Sequence, residues 1–270
     1  MQIKHVTAFD RPELVPYATL RQNEEHKAAG IFVAEGAMIV QRLLESQFGV
    51  VSVLLPEKRL AEFEPLIRAR AEDVTVYVME LAELEKLVGF PFFQGVLAVG
   101  KIRQTHTLDS ILANAPRPHF LVAFDALANA DNIGLMVRSA AAFGAQAIIV
   151  GETSASPFLR RAVRNSIGAI FKLPVVQTID LIATLRDLRS RGVRIIAAHP
   201  QTDGRTIHDV DFKSDCCVLF GSESTGISEE VLAACDEAVA IPMSNEVDSL
   251  NVGTAAAVFL YEVARQRRIS

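Results

Sequence analysis

The 270-residue chain has no surplus of basic residues: 27 Lys and Arg stand against 32 Asp and Glu, a formal net charge of −5. Cutting it at residue 105 leaves 12 basic and 14 acidic residues before the cut and 15 and 18 after it, so neither half is a basic domain. A nucleic-acid partner would have to be met by local patches. Arg160, Arg161 and Arg164 form one candidate patch, and Arg265, Arg267 and Arg268 another. No apolar run approaches the ~18 residues of a membrane span, and no membrane association is expected. Met1 to His5 lacks the apolar stretch of a signal peptide, so a cytoplasmic location is the expectation. Cysteine is scarce: Cys216, Cys217 and Cys235 are odd in number and contain no CxxC pair. A disulfide framework is excluded on that count, and buried reduced thiols are expected. His, Cys and Asp show no ligand-like spacing, which points to chemistry without a metal.

Half of the residues are apolar, enough to bury a core in each of one or two domains. Before residue 105 the pattern alternates. Strand-like runs at Ile31 to Ala34, Val50 to Leu55, Val74 to Val78 and Gln94 to Val99 are separated by helical spacings at 38–44, 57–71 and 81–87. This reads as a compact α/β unit. A linker follows, with a short helix from Leu108 to Ala113 and the prolines Pro116 and Pro118.

The second unit has strand-like runs at His119 to Asp125, Ala147 to Val150, Val193 to Ala198, Cys216 to Phe220 and Ala238 to Ile241. Helices are expected from Asp131 or Asn132 to near Gly144, and over Leu159 to Ala169, Asp180 to Arg191 and Ser228 to Cys235, with a last one after Asn251. Apolar strands alternating with helices imply a parallel sheet covered on both faces. In such a sheet ligands gather at the carboxyl ends of the strands. The loops after Asp125, Ala198, Phe220 and Ile241 are therefore expected to meet at one pocket.

Three stretches carry the chemistry. The first is Asn129-Ala130-Asp131-Asn132-Ile133-Gly134-Leu135-Met136-Val137-Arg138, continuing to Gly144. The second, Leu219-Phe220-Gly221-Ser222-Glu223-Ser224-Thr225-Gly226, has neither a Gly-Lys-Ser/Thr ending nor GxGxxG spacing, so it is no P-loop. It reads as a turn of exposed backbone amides. The third is Ile241-Pro242-Met243-Ser244-Asn245-Glu246-Val247-Asp248-Ser249-Leu250-Asn251-Val252, running into Gly253-Thr254-Ala255-Ala256-Ala257. Ser249 and Asn251 flank the helix start, where side-chain oxygens cap free amides. The small residues after them suit close approach of another backbone or a flat ligand.

In this order and spacing, over about residues 117–265, the three stretches resemble the motifs of the SpoU (TrmH-type) ribose methyltransferases of the SPOUT superfamily. The resemblance implies an α/β fold. Residues 119–270 would be a parallel-sheet SPOUT methyltransferase domain with a trefoil knot, and 106–118 a linker. Residues 1–105 would be a small ribosomal-protein-like RNA-recognition domain; Phe32 to Gly36 and Gln94 to Ala98 are similar to its edges. The implied activity is S-adenosylmethionine-dependent methylation of a ribose 2′-hydroxyl. Ribosomal RNA is favoured, transfer RNA stays open, and the implied assembly is a homodimer. A non-catalytic RNA-binding or ribosome-assembly protein, or a base methyltransferase, is the alternative.

The catalytic positions carried over are Arg138, Asn132, Glu223, Ser249 and Asn251. Those for the cofactor are Ala198, His199, Phe220, Gly221, Ser222, Gly226, Ile241, Met243, Ser249 and Leu250. The chain departs from the family at Asn129-Ala130, where the common motif has Asp-Pro. A guanidinium stays protonated to about pH 12 or beyond, so Arg138 is read as orienting RNA phosphate and the hydroxyl rather than as a base.

Overall fold

Short apolar runs rich in Val, Ile and Phe become strands, and the amphipathic stretches between them become the helices that cover those strands. The computed structural model describes residues 1–7, 11–20, 23–89, 95–102, 106–200, 204–245 and 247–268. In chain order the first elements are β1 (Gln2–His5), α1 (Val15–Ala18), α2 (Asn23–Ala28), β2 (Ile31–Glu35), α3 (Ala37–Glu45) and β3 (Val50–Leu55). Then come α4 (Glu57–Arg68), β4 (Thr75–Val78), α5 (Leu81–Val88), β5 (Leu97–Lys101), α6 (Leu108–Asn114), β6 (Phe120–Phe124), α7 (Ala130–Ala142) and β7 (Ala147–Val150). The rest are α8 (Arg160–Asn165), β8 (Val175–Gln177), α9 (Leu181–Ser190), β9 (Arg194–Ala198), β10 (Cys216–Phe220), α10 (Glu229–Leu232), β11 (Glu237–Val239) and α11 (Val252–Arg268). Gln94, expected to open a strand, and residues 103–105 at the end of the expected RNA-recognition domain lie outside the described residues. Among the described residues no helix is long and apolar enough to cross a membrane.

The chain divides into two compact units. One is Met1–Gln104 together with Phe158–Lys172, and the other is Thr105–Pro157 with Leu173–Ser270. The N-terminal unit holds a five-stranded sheet in the order β1-β4-β3-β5-β2, with β5 antiparallel to both neighbours and the other pairings parallel. The sequence pattern alone assigns Leu159 to Ala169 to a single helix of the second domain. Instead α8 is short, Ile167 and Gly168 take positive φ angles of 49° and 73°, and a 3₁₀ turn covers Ala169–Phe171. The whole segment packs in the N-terminal unit. Phe158 and Phe171 stack 5.6 and 5.7 Å from the ring of Phe32 on β2, and the buried Glu35 carboxylate accepts from Arg160 and Arg164.

The C-terminal unit carries a six-stranded, wholly parallel sheet in the order β11-β9-β10-β6-β7-β8. Successive side chains of a strand face opposite layers. Leu121, Ala123, Cys217 and Leu219 accordingly join a buried cluster with Leu181, Leu185 and Leu188 of α9. On the other face Phe220 meets Phe259 of α11 edge to face at 5.8 Å. From β6 the chain runs outward through β7 and β8, then crosses to build β9, β10 and β11 on the opposite side. The reversal lies between β6 and β10, the place where open α/β sheets form a crevice at the strand carboxyl ends.

The last strand is shorter than its apolar run. It ends at Val239 because Ala240 leaves the sheet, its amide donating to the Arg205 carbonyl and its carbonyl accepting from the amide of Ile207. Among the described side chains, two arginines of each candidate patch are engaged within the protein. Arg160 and Arg164 are held by Glu35, and Arg265 by Glu262. Arg267 donates to the carbonyls of Phe212, Pro118, His119 and Ser214, and Arg268 has no described side chain. Cys216 and Cys217 are buried and reduced, and Cys235 is half-buried and reduced; burial raises all three thiols, Cys216 to about 11 and Cys235 to about 12.

Candidate active site

At the carboxyl ends of β9, β10 and β11 the C-terminal unit opens into a cleft of about 600 Å³. Each strand hands over to a loop that lines it. Ala198, His199 and Pro200 follow β9; Phe220 to Gly226 follow β10; Ile241, Met243 and Asp248 to Val252 follow β11. All ten residues read as cofactor-binding line this one cleft, as do Glu223 and Asn251. Val239, Ala255 and Phe259 complete the wall. Asn251, Ala255 and Phe259 are spaced i, i+4, i+8, so they share one face of α11.

The loop after β10 is tighter than a row of open amides. The amide of Ser222 donates to the carbonyl of Gly226 at 2.9 Å, and that of Gly226 donates back to Ser222 at 3.0 Å. Two of the amides expected to meet a ligand are therefore spent on closing the turn. Closure explains Gly221, where a Cβ would stand 2.4 Å from the Gly226 backbone. Gly226 itself has φ +71°, the left-handed region that glycine enters without strain.

Both flanking helices are capped by asparagine. Asn129, and neither Asp131 nor Asn132, caps α7: its side chain accepts from the Asp131 amide at 2.8 Å. This moves Asn132 into the first helical turn, where it is buried. Asn251 caps α11, accepting from the amides of Gly253 at 2.9 Å and Thr254 at 3.4 Å. Among the described residues Ser249 makes no such bond, and it stands exposed in the cleft wall. The Asn251 amide nitrogen donates to the Asn132 carbonyl oxygen at 3.1 Å, and the Asn132 nitrogen donates to Glu223 at 2.9 Å. The loops after β10 and β11 and the first turn of α7 are thus tied by one chain of side-chain bonds, Asn251 to Asn132 to Glu223. Its two ends line the cleft and Asn132 sits behind them. Arg138 is exposed, makes no hydrogen bond or ion pair with the described residues, and does not line this cleft.

A model of the SpoU rRNA methylase family matches residues 119–261, more than half of the chain. The chain belongs to the SpoU rRNA methylase family. An uncharacterized tRNA/rRNA methyltransferase of Mycobacterium tuberculosis is 37% identical over 204 residues, which cover 74% of this SpoU-family chain and 63% of the relative. A protein of the same description from Mycobacterium avium is 36% identical over 204 residues, 66% of its own length. The chain therefore spans just under two thirds of the length of these curated relatives. Among solved structures, the SpoU methyltransferase AviRb from Streptomyces viridochromogenes, in complex with AdoMet, superposes with a TM-score of 0.82 at 26% identity, over 96% of this chain and 100% of that one. An AdoMet-bound rRNA methyltransferase from Sinorhizobium meliloti has the same fold, with a TM-score of 0.85 at 24% identity over 98% of each chain.

Within this SpoU-family site, reading the sequence missed Pro200, Ser224, Thr225, Val239, Asp248, Val252, Ala255 and Phe259 as lining residues. The helical spacing from Asn251 was a usable signal for Ala255 and Phe259. For Asp248 the only signal was its place beside Ser249. The Asp-Pro to Asn-Ala departure falls at the cap and first position of α7. There asparagine caps as aspartate does, and alanine occupies the one helical position where proline is also accepted.

Proposed function

We propose that this chain is an S-adenosylmethionine-dependent RNA methyltransferase that methylates a ribose 2′-hydroxyl, with ribosomal RNA as the favoured substrate. The observation that carries the reading is the Asn251–Asn132–Glu223 chain at the cleft. It joins one polar residue from each of the three motifs at a single pocket. The pocket fits the cofactor. Its volume suits a nucleoside-sized ligand, and Phe220, Val239, Ile241, Leu250 and Phe259 offer apolar walls beside polar loop edges.

Bound in this cleft, S-adenosylmethionine supplies an electrophilic methyl to an oxygen placed in line with it. The loops after β9, β10 and β11 hold the cofactor, while Glu223, Ser249 and Asn251 present polar groups along the same wall. Asn132 fixes the distance between Glu223 and Asn251, so that their orientation is set before substrate arrives. Arg138 steers a phosphate and orients the adjoining hydroxyl. The residues before 105 select the RNA.

A homodimer is part of the same reading. Leu135 on α7 and Val258 and Tyr261 on α11 are exposed apolar side chains on two helices that pack together, and they support self-association. A dimer formed there brings Arg138 of α7 to the interface. The trefoil knot belongs here too. The chain leaves edge strand β11, yet its last helix packs on α7 and on β10 in the middle of the sheet, which supports a threaded return.

The test is methyl transfer from labelled cofactor to ribosomal and transfer RNA, followed by nuclease digestion and nucleoside mass spectrometry. A 2′-O-methylated nucleoside is expected. A methylated base, or binding without transfer, would replace this reading with one of its alternatives.

A further inference from the structure

Glu223 and Asp248 are the carboxylates of the cleft wall, and no lysine or arginine among the described residues lines it. Glu223 has a structural partner in Asn132. Asp248 has none: it makes no hydrogen bond or ion pair with the described residues, and the cap of α11 is Asn251. A carboxylate with no capping or pairing duty stands at the site. The N-terminus of α11 adjoins this wall through Asn251 and Val252, and its macrodipole amounts to roughly half a positive charge, outweighed by two carboxylates.

The two small molecules that would exchange here differ in charge. S-adenosylmethionine carries a sulfonium, an ammonium and a carboxylate, and so a net positive charge. S-adenosylhomocysteine, left after transfer, lacks the sulfonium charge and is neutral overall. The rest of their shapes is nearly the same, and a single methyl group gives an apolar wall little to discriminate. Charge is the property that separates them.

We infer that Asp248, with Glu223, makes the cleft a charge filter that holds the cationic methyl donor in preference to its neutral product. The inference rests on the cleft being the S-adenosylmethionine site and adds which charge state that site favours. Both carboxylates are exposed, so water and salt weaken the effect of each, and Asp248 is expected to account for roughly three- to fivefold in relative affinity.

Calorimetric titration of the full chain tests it, with three probes: S-adenosylmethionine, S-adenosylhomocysteine, and sinefungin, which carries an amine where the sulfonium would be. In Asp248→Asn the two cationic probes are expected to bind about three- to fivefold more weakly and S-adenosylhomocysteine less than about twofold more weakly. The wild-type preference should shrink as salt rises from about 0.05 to about 0.5 M, and Asp248→Glu should restore it. An equal loss for all three probes would make Asp248 an anchor for the shared ammonium and overturn the filter, as would no loss at all. In both cases wild-type binding of S-adenosylmethionine would stand, leaving the site reading intact. Failure of the wild type to bind S-adenosylmethionine would overturn both.

Discussion

Asn132 and Arg138 belong to one helix, and their six-residue spacing turns the helix by about 600°, so they face different ways. Asn132 is buried with both ends of its amide engaged, whereas Arg138 is exposed and unengaged among the described residues. Their removal should fail differently. Asn132→Ala leaves Glu223 and Asn251 without their shared partner and is expected to cost about 1–3 kcal/mol, seen as a lower melting temperature and weaker cofactor binding. Arg138→Ala should melt with the wild type and bind cofactor normally, yet lose methyl transfer. Near-wild-type turnover in Arg138→Ala would remove the proposed role. The behaviour of Asn132 could not be read from its motif. Its bonds run to residues 91 and 119 positions away, and nothing local distinguishes a capping asparagine from one in the first turn.

Among the elements, the expected strands over 50–55, 147–150 and 216–220 appear with those bounds, because each β-rich run is ended by a proline or glycine: Pro56, Gly151 and Gly221. β11 and α8 could not be bounded this way. Tertiary partners set their limits: Arg205 and Ile207 draw Ala240 away, and the Phe32 ring and Glu35 hold the α8 segment.

Two helix substitutions follow from the same local geometry. Ala130 is the first residue of α7, and Asn129 before it is extended at φ −83°, ψ 111°, a conformation that proline tolerates in its predecessor. Ala130→Pro should therefore stabilise the chain by about 0.4–1 kcal/mol, read as a small rise in melting temperature. A fall would show that the Ala130 amide has a partner. In α11, Ala256 is fully buried, and a Cβ on Gly253 would lie 3.5 Å from Leu135 on α7. The run of small residues thus serves helix-to-helix approach, with Ala255 turned to the cleft. Ala256→Leu should overpack this contact and cost ~1–3 kcal/mol in thermal unfolding.

A third element-level effect is set by pH. Burial alone would raise the Glu72 carboxyl, but hydrogen bonds from Arg70 and the Val50 amide prevail and hold it at about 2. A carboxylate depressed by folding stabilises the native state above its unfolded value of about 4.3, and that contribution is lost as pH falls towards 2. Glu72→Gln should be less stable than the wild type at pH 7 and converge with it in acid. Parallel melting curves across that range would refute the effect.

For the whole molecule, the division of labour depends on where the N-terminal unit ends. Its sheet is covered at β2 by Phe158–Lys172, a segment bracketed in sequence by strands of the other unit. A fragment of residues 1–105 would lose the rings of Phe158 and Phe171 from beside Phe32 and Phe48, and would leave the buried Glu35 without its arginines. An unpaired buried carboxylate and an uncovered aromatic cluster are each costly. That fragment is expected to unfold, or to melt well below the full chain, and a version carrying 158–172 on a flexible linker should recover cooperative melting. The complementary fragment 106–270 keeps the cleft and all three motifs, so it should retain cofactor binding while exposing Phe158, Ile170 and Phe171 as an aggregation-prone patch. Replacing those three by Ser, Thr and Ser in the fragment should restore solubility without altering cofactor affinity, measured by calorimetry. If 1–105 melts as cooperatively as the linked version, Phe158–Lys172 is not part of that unit's core. If the soluble 106–270 fragment methylates the same RNA as efficiently as the full chain, RNA selection does not reside before residue 105.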